Sequence, residues 1–172
     1  MAFIVNNVRQ FQKNKFCKYS CSWAYFRKVI AVAYPSYEFK IRQQGASQQI
    51  FDVVRKRWVA LTPEEWVRQN MLQYLLQVMA YPSSWVAVEK SIVVNQQQRR
   101  CDILVYQYNQ PWLIIECKAM DVPLHEQVLQ QALQYNSTLA VPFLVITNGS
   151  YTYGWKLQPT VVALTAFPPY GK

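Results

Sequence analysis

Glycine is scarce in this chain: Gly45, Gly149, Gly154 and Gly171 are the four among 172 residues. They stand too far apart to build the loop that cradles a nucleotide phosphate or the fingerprint that seats a dinucleotide. Histidine is scarcer still, with His125 alone. Of the four cysteines, Cys17 and Cys21 are close in sequence, but Cys101 and Cys117 lie apart in strand-like stretches. Two close ligand pairs are therefore missing, which argues against structural zinc. Reduced thiols, the intracellular default, are expected. Apolar runs long enough to span a bilayer are absent too, so no membrane crossing and a cytoplasmic location are expected.

Acidic residues are few, nine against 18 basic ones, for a net charge of +9. That balance favours an anionic partner such as nucleic acid. The excess is unevenly spread. Residues 1–37 carry Arg9, Lys13, Lys15, Lys18, Arg27 and Lys28 and no acid at all. This arm has neither the apolar core nor the small-residue cleavage site of a secretory signal. It reads as a basic extension, residues 1–33, outside a single domain spanning 34–172. A hydrophobic share of 52%, with six Trp and twelve Tyr, argues against disorder and for a sizeable core.

Tyr37–Leu61 reads as short strands joined by turns, with Gln43–Ala46 as one turn and Val54–Arg57 as a solvated basic tip. Thr62 is placed to cap a helix, Pro63 suits its first position, and Glu65 completes a capping box. Apolar Trp66, Met71, Leu72, Leu75, Leu76 and Met79 carry that helix to about Ala80, where Tyr81-Pro82 stops it. Glu64 and Arg68, four apart, fit a solvent-exposed ion pair. Strands follow at Trp85–Val94, Arg99–Gln107 and Pro111–Ala119, with connections so short that the three should run antiparallel. A second helix starts at Asp121-Val122-Pro123 and runs to about Leu139, with Leu124, Val128, Ala132, Tyr135 and Leu139 as its apolar stripe. Strands at Phe143–Asn148 and Tyr151–Leu157 complete the chain. The helical crossover implies that Phe143–Asn148 lies parallel to Pro111–Ala119.

Three ionisable residues interrupt the apolar strands: Asp102 in Cys101–Tyr106, and Glu116 and Lys118 in Trp112–Lys118. Ionisable groups are rarely buried without partners. A hairpin centred near Asn109 sets Asp102 opposite Glu116, and residues two apart on a strand share a face. The trio can therefore converge on one face. Two adjacent carboxylates repel, and a divalent cation between them removes that cost. Oxygen ligands suit Mg²⁺ or Mn²⁺. The competing reading is a structural salt-bridge cluster. Such clusters stabilise poorly compared with apolar residues of similar size, which favours function. Gln131, an amide near the middle of the second helix's stripe, needs hydrogen-bond partners and could reach a phosphate, a water or a carboxylate.

Asp102, Glu116-Cys117-Lys118 and Gln131-Ala132-Leu133-Gln134-Tyr135, in that order after a capped helix, resemble the PD-(D/E)XK nuclease superfamily. More specifically, the chain resembles type I restriction enzyme R-subunit N-terminal domains, of the branch with a Q-x-x-x-Y helix. The likeness runs from about Tyr34 to Leu157, and Cys101 stands where that superfamily's name has proline. It implies an α/β, restriction-endonuclease-like core: a central mixed sheet of four to five strands flanked by helices, in the order αβββαβ. It also implies Mg²⁺- or Mn²⁺-dependent hydrolysis of DNA phosphodiesters, carried out by the same trio. Asp102, Glu116 and the main-chain carbonyl of Cys117 would bind the metal, and Lys118 would orient or help deprotonate the attacking water. Gln131 would position phosphate or water, with Tyr135 supporting its helix. Glu65, with Glu64 behind it, and Glu89 are candidate further acids, although Glu89 could equally pair with Arg99 or Arg100. Arg68, Arg99 and Arg100 are candidate DNA contacts. Partners would be DNA and a second copy or restriction-complex subunits. A module that binds nucleic acid or assembles without catalysis is the alternative, and RNA an alternative substrate.

Overall fold

Thr62 opens the first helix as its spacing predicts, its hydroxyl accepting from the Glu65 N–H at 3.0 Å. The computed structural model describes residues 28–94, 96–126, 128–130, 133 and 139–171. Helix α1 runs Pro63–Gln73 and continues as a wider π turn over Tyr74–Val78. It buries Val67, Met71 and Leu72. The Glu65 side chain does not close the expected capping box. It turns instead to Arg55, Arg68 and Gln69.

Ahead of α1, β1 (Ile41–Gln44), β2 (Ser47–Asp52) and β3 (Arg57–Ala60) form a small antiparallel sheet. After it come β4 (Val86–Val94), β5 (Gln97–Gln107), β6 (Gln110–Cys117), β7 (Phe143–Thr147), β8 (Thr152–Lys156) and β9 (Val162–Ala163). These six make one mixed sheet in sequence order. β4, β5 and β6 are antiparallel, as their short connections require, and β7 is parallel to β6. The sheet has one strand more than the expected four to five.

The strands alternate in what they bury. Ile103, Val105, Leu113, Ile115 and Val145 pack with α1, whereas Leu104, Ile114, Leu144 and Ile146 pack with Leu129 on the other side. Each fully buried Leu or Ile contributes on the order of 2 kcal/mol. A sheet covered on both faces explains why β6 reads as a nearly continuous apolar run.

Two expectations move. The second helix begins later than Asp121: residues 121–125 are turn or irregular, and Glu126, residues 128–130, Leu133 and Leu139 are helical. The domain boundary expected at residue 33 falls inside the packed core. Ile30 is 2% exposed and its N–H donates to the Thr152 carbonyl at 2.8 Å. A Cβ on Gly154 would come within 2.8 Å of the Ile30 side chain, so bare backbone makes room for it there. The cations before residue 28 and both Cys17 and Cys21 lie outside the described residues. Among those described, no helix is long and apolar enough to cross a membrane.

Candidate functional site

The β5–β6 hairpin pairs Ile103 with Ile115 and Leu104 with Ile114. One step further along this register, Asp102 comes opposite Glu116, as the sequence implies. Asp102 Oδ2 accepts the Cys117 N–H at 2.7 Å, which ties the end of β6 to β5. Lys118 leaves the strand with its N–H donating to the Thr147 carbonyl at 2.8 Å, and its Nζ lies 2.9 Å from Glu116 Oε1. Asp102, Glu116 and Lys118 are thus gathered at the end of β6.

Glu116 is the least satisfied member. It is 3% exposed, and its Oε2 is buried with no hydrogen-bond partner among the described residues. Burial first, and then the Asp102 charge, push its carboxyl up to about 7 despite Lys118. On Lys118 burial works against the ammonium. The Glu116 charge and hydrogen bond outweigh it and hold the group above its ordinary range.

Asp102 faces a different neighbour. Its Oδ1 lies 2.6 Å from Arg68 Nη2, and the same guanidinium binds Glu65 Oε2 and, at 2.9 Å, Glu64 Oε1. The expected solvent-exposed Glu64–Arg68 pair is therefore corrected: Arg68 is 4% exposed, because Asp102 and Glu65 draw it under α1. Burial opposes its charge, but Asp102 leads a set of anions that keeps it firmly protonated.

Arg55 is the residue that local sequence reading missed. The Val54–Arg57 tip is not wholly solvated, since the Arg55 side chain is 9% exposed and meets three carboxylates. Its Nε is 2.6 Å from Asp52 Oδ2, its Nη2 is 2.6 Å from Glu65 Oε1, and its Nη1 binds Glu89 Oε2. Gln69 Nε2 donates to Asp52 and Glu65, both at 2.8 Å. Asp52 also accepts from the backbone of Val54 and Arg55, so the turn itself is built around the ion pair. Arg-Lys-Arg gives no local hint of this. The one available signal was an acid, Asp52, three residues ahead.

Glu89 pairs with Arg55 and Arg100, the latter at 3.2 Å, while Arg57 is 4.0 Å away. It has φ +53° inside β4, an outlying backbone state that costs about 1–3 kcal/mol. The register brackets it opposite Asp102, between the pairs Val88–Ile103 and Lys90–Cys101. Here strict alternation fails. Ile103 packs with the α1 side, yet Cys101, two residues away, packs with the opposite cluster. The sheet turns over at the row that carries the candidate acids.

Gln131 and Tyr135 lie outside the described residues. Arg99 and Arg100 are exposed on β5, beyond the site. Among the described residues, no three or more His, Cys, Asp or Glu are grouped to hold a metal ion. Two carboxylates, one with an orphaned oxygen, nevertheless suit Mg²⁺, which takes one or two carboxylates and completes its shell with water and phosphate.

No curated protein matches the chain. Among solved structures, the chain is similar to the fragment structure of what is assigned as an HsdR subunit of a type I restriction enzyme from Vibrio vulnificus. The two are 29% identical over 48% of this chain and 16% of that one, with a TM-score of 0.35. This chain thus spans a small part of that relative's length. Residues 63–168 match the family described as type I restriction enzyme R protein N terminus (HSDR_N). That stretch takes in α1, the six-stranded sheet, Asp102, Glu116 and Lys118. On this match over more than half its length, the chain belongs to the family of type I restriction enzyme R protein N termini.

Proposed function

We propose that the chain is a metal-dependent DNA nuclease with a PD-(D/E)XK-type site on a restriction-endonuclease-like core, working with the partner subunits of a restriction system. The observation that carries this reading is Glu116: a buried carboxylate with an orphaned oxygen, beside a second carboxylate and a lysine. Asp102, Glu116 and the Cys117 carbonyl would hold Mg²⁺ or Mn²⁺. Bound there, the cation supplies neutralisation of the carboxylate pair and polarisation of a phosphoryl oxygen.

The remaining roles belong to side chains. Lys118 keeps its proton at neutral pH because Glu116 holds it, so it serves better as a donor to charge developing on phosphorus than as a base. Gln131 would position phosphate or water, and Tyr135 would support its helix. Glu65 and Glu89 act through the arginines they bind rather than on substrate. Arg68 is a positioning residue for Asp102, and Arg99 and Arg100 are exposed cations available to the DNA backbone. Catalysis belongs to the part of the chain that carries α1 and the six-stranded sheet, in the cytoplasm, and the basic N-terminal stretch takes no catalytic part. A homodimer would let two such sites cut both strands.

A second reading rests on Asp102, both of whose oxygens already have protein partners. It makes the domain a non-catalytic module for nucleic-acid binding or assembly. Incubating the protein with supercoiled plasmid and Mg²⁺ beside Asp102→Ala and Lys118→Ala separates the two. Metal-dependent nicking by the wild type alone supports the nuclease. Equal nicking by all three, or none by a folded wild type, favours the second reading.

A further inference from the structure

Beyond the site, β4 and β5 run on as a two-stranded ribbon. Pairs from Lys90–Cys101 to Val94–Gln97 join them, while the pairing of β5 with β6 starts at Ile103–Ile115. Five residues of each strand extend about 16 Å at the usual rise. Residues 90–100 carry Lys90, Arg99 and Arg100 and no acid.

The two faces of the ribbon differ. Directly opposed residues share a face, which puts Ser91 with Arg100 and Val93 with Gln98 on one side. All four are exposed, Val93 at 59%. The other side gives Ile92 and Cys101 to the core cluster around Leu129. The open face is also the one that leads to the carboxylates: Arg100 reaches Glu89, and Glu89 reaches Arg55. The turnover of the sheet at Asp102 is what brings this face round to the α1 side.

We propose that the open face of the β4–β5 ribbon enters the major groove of duplex DNA and, through Gln98, Arg100, Ser91 and Val93, selects the bases that lie beside the Asp102–Glu116 site. The chemistry fits base edges. An arginine reads guanine and a glutamine reads adenine, each through paired hydrogen bonds, and an apolar side chain meets the thymine methyl. The shape fits as well, since the major groove of B-form DNA, about 12 Å wide, admits a two-stranded ribbon. The major groove of duplex RNA is too narrow for side chains to read, so the surface suits DNA. This assignment rests on the DNA reading of the site, though not on catalysis.

The test is binding without turnover: fluorescence anisotropy of the full chain on a short labelled random-sequence DNA duplex in EDTA, with thermal unfolding of each variant alongside. Arg100→Ala and Val93→Asp should each weaken binding about tenfold or more, and Gln98→Ala by a smaller factor. Lys90→Ala, which removes the same charge from an exposed residue on the opposite side, should change affinity by about twofold or less. Equal weakening by Lys90→Ala and Arg100→Ala would show simple charge attraction and overturn the proposal. So would a folded Val93→Asp that binds like the wild type, or equal affinity for an RNA duplex of the same sequence. If the wild type binds with this face dependence yet never nicks plasmid in Mg²⁺, the nuclease reading fails and the ribbon assignment stands.

Discussion

The buried charges divide into two ends built on opposite principles. At the Arg55 end, Asp52, Glu65 and Glu89 surround one guanidinium, and Gln69 donates to two of the three. At the Glu116 end, one carboxylate oxygen has no partner among the described residues; the half-buried Lys118 pairs with Glu116, and Arg68 holds the neighbouring Asp102. The closed end joins three parts of the fold: the β2–β3 turn, α1 and β4. The open end lies where β6 stops. A matched network holds a structure together, whereas an unmatched buried carboxylate costs stability unless something further binds there. The difference supports the first as scaffold and the second as the proposed site.

Breaking the closed end should have the largest effect on stability. Arg55→Met leaves three carboxylates without their shared cation, and removing one partner from a buried pair costs about 3–5 kcal/mol. Urea unfolding at neutral pH measures this directly. A loss under about 1 kcal/mol would mean that the network is no scaffold.

The open end should respond in the opposite direction. The raised Glu116 carboxyl, near 7 against an ordinary 4.5, means that the metal-free folded state holds a proton the unfolded state has released. Stability from this group is complete below about pH 4.5 and is lost as pH climbs to about 7. Glu116→Gln removes that loss. The variant should therefore gain on the wild type across this window and end on the order of 2 kcal/mol more stable at pH 8. Parallel pH dependence of the two unfolding curves would contradict it.

Lys118→Met sharpens the comparison further. Its side chain is 19% exposed and pairs with one acid, so stability should shift by about 1 kcal/mol or less while nicking activity is lost. Thr62→Ala, remote from both ends, should cost about 1 kcal/mol through the lost cap alone and leave nicking unchanged.

The elements that were legible in the sequence are those whose signals are local. Thr62-Pro63 announces the start of α1, and the three short-linked strands pair as antiparallel neighbours; the expected opposition of Asp102 and Glu116 is reached through a register shift between Val105 and Tyr106, since the turn alone would set Asp102 against Ile115. Arg55 was illegible because its acids come from elsewhere, Glu65 ten residues on and Glu89 thirty-four. Arg68 was misplaced for a related reason. Glu64 on its own helix explained it locally, and only the approach of Asp102 from β5 takes it out of water. The turnover of the sheet at Glu89 and Asp102 has no sequence mark, because a positive φ at a glutamate is imposed by its surroundings. The second helix's start was set too early because Pro123 resembles a first-turn proline, whereas residues 121–125 lie outside the helix.

The most direct test of the open end as a cation site is calorimetric titration of Mn²⁺ into the metal-free wild type, Glu116→Gln and Arg55→Lys. Binding by the wild type and Arg55→Lys, with affinity at least about tenfold weaker in a folded Glu116→Gln, is the predicted result. Equal Mn²⁺ affinity in wild type and Glu116→Gln would contradict it.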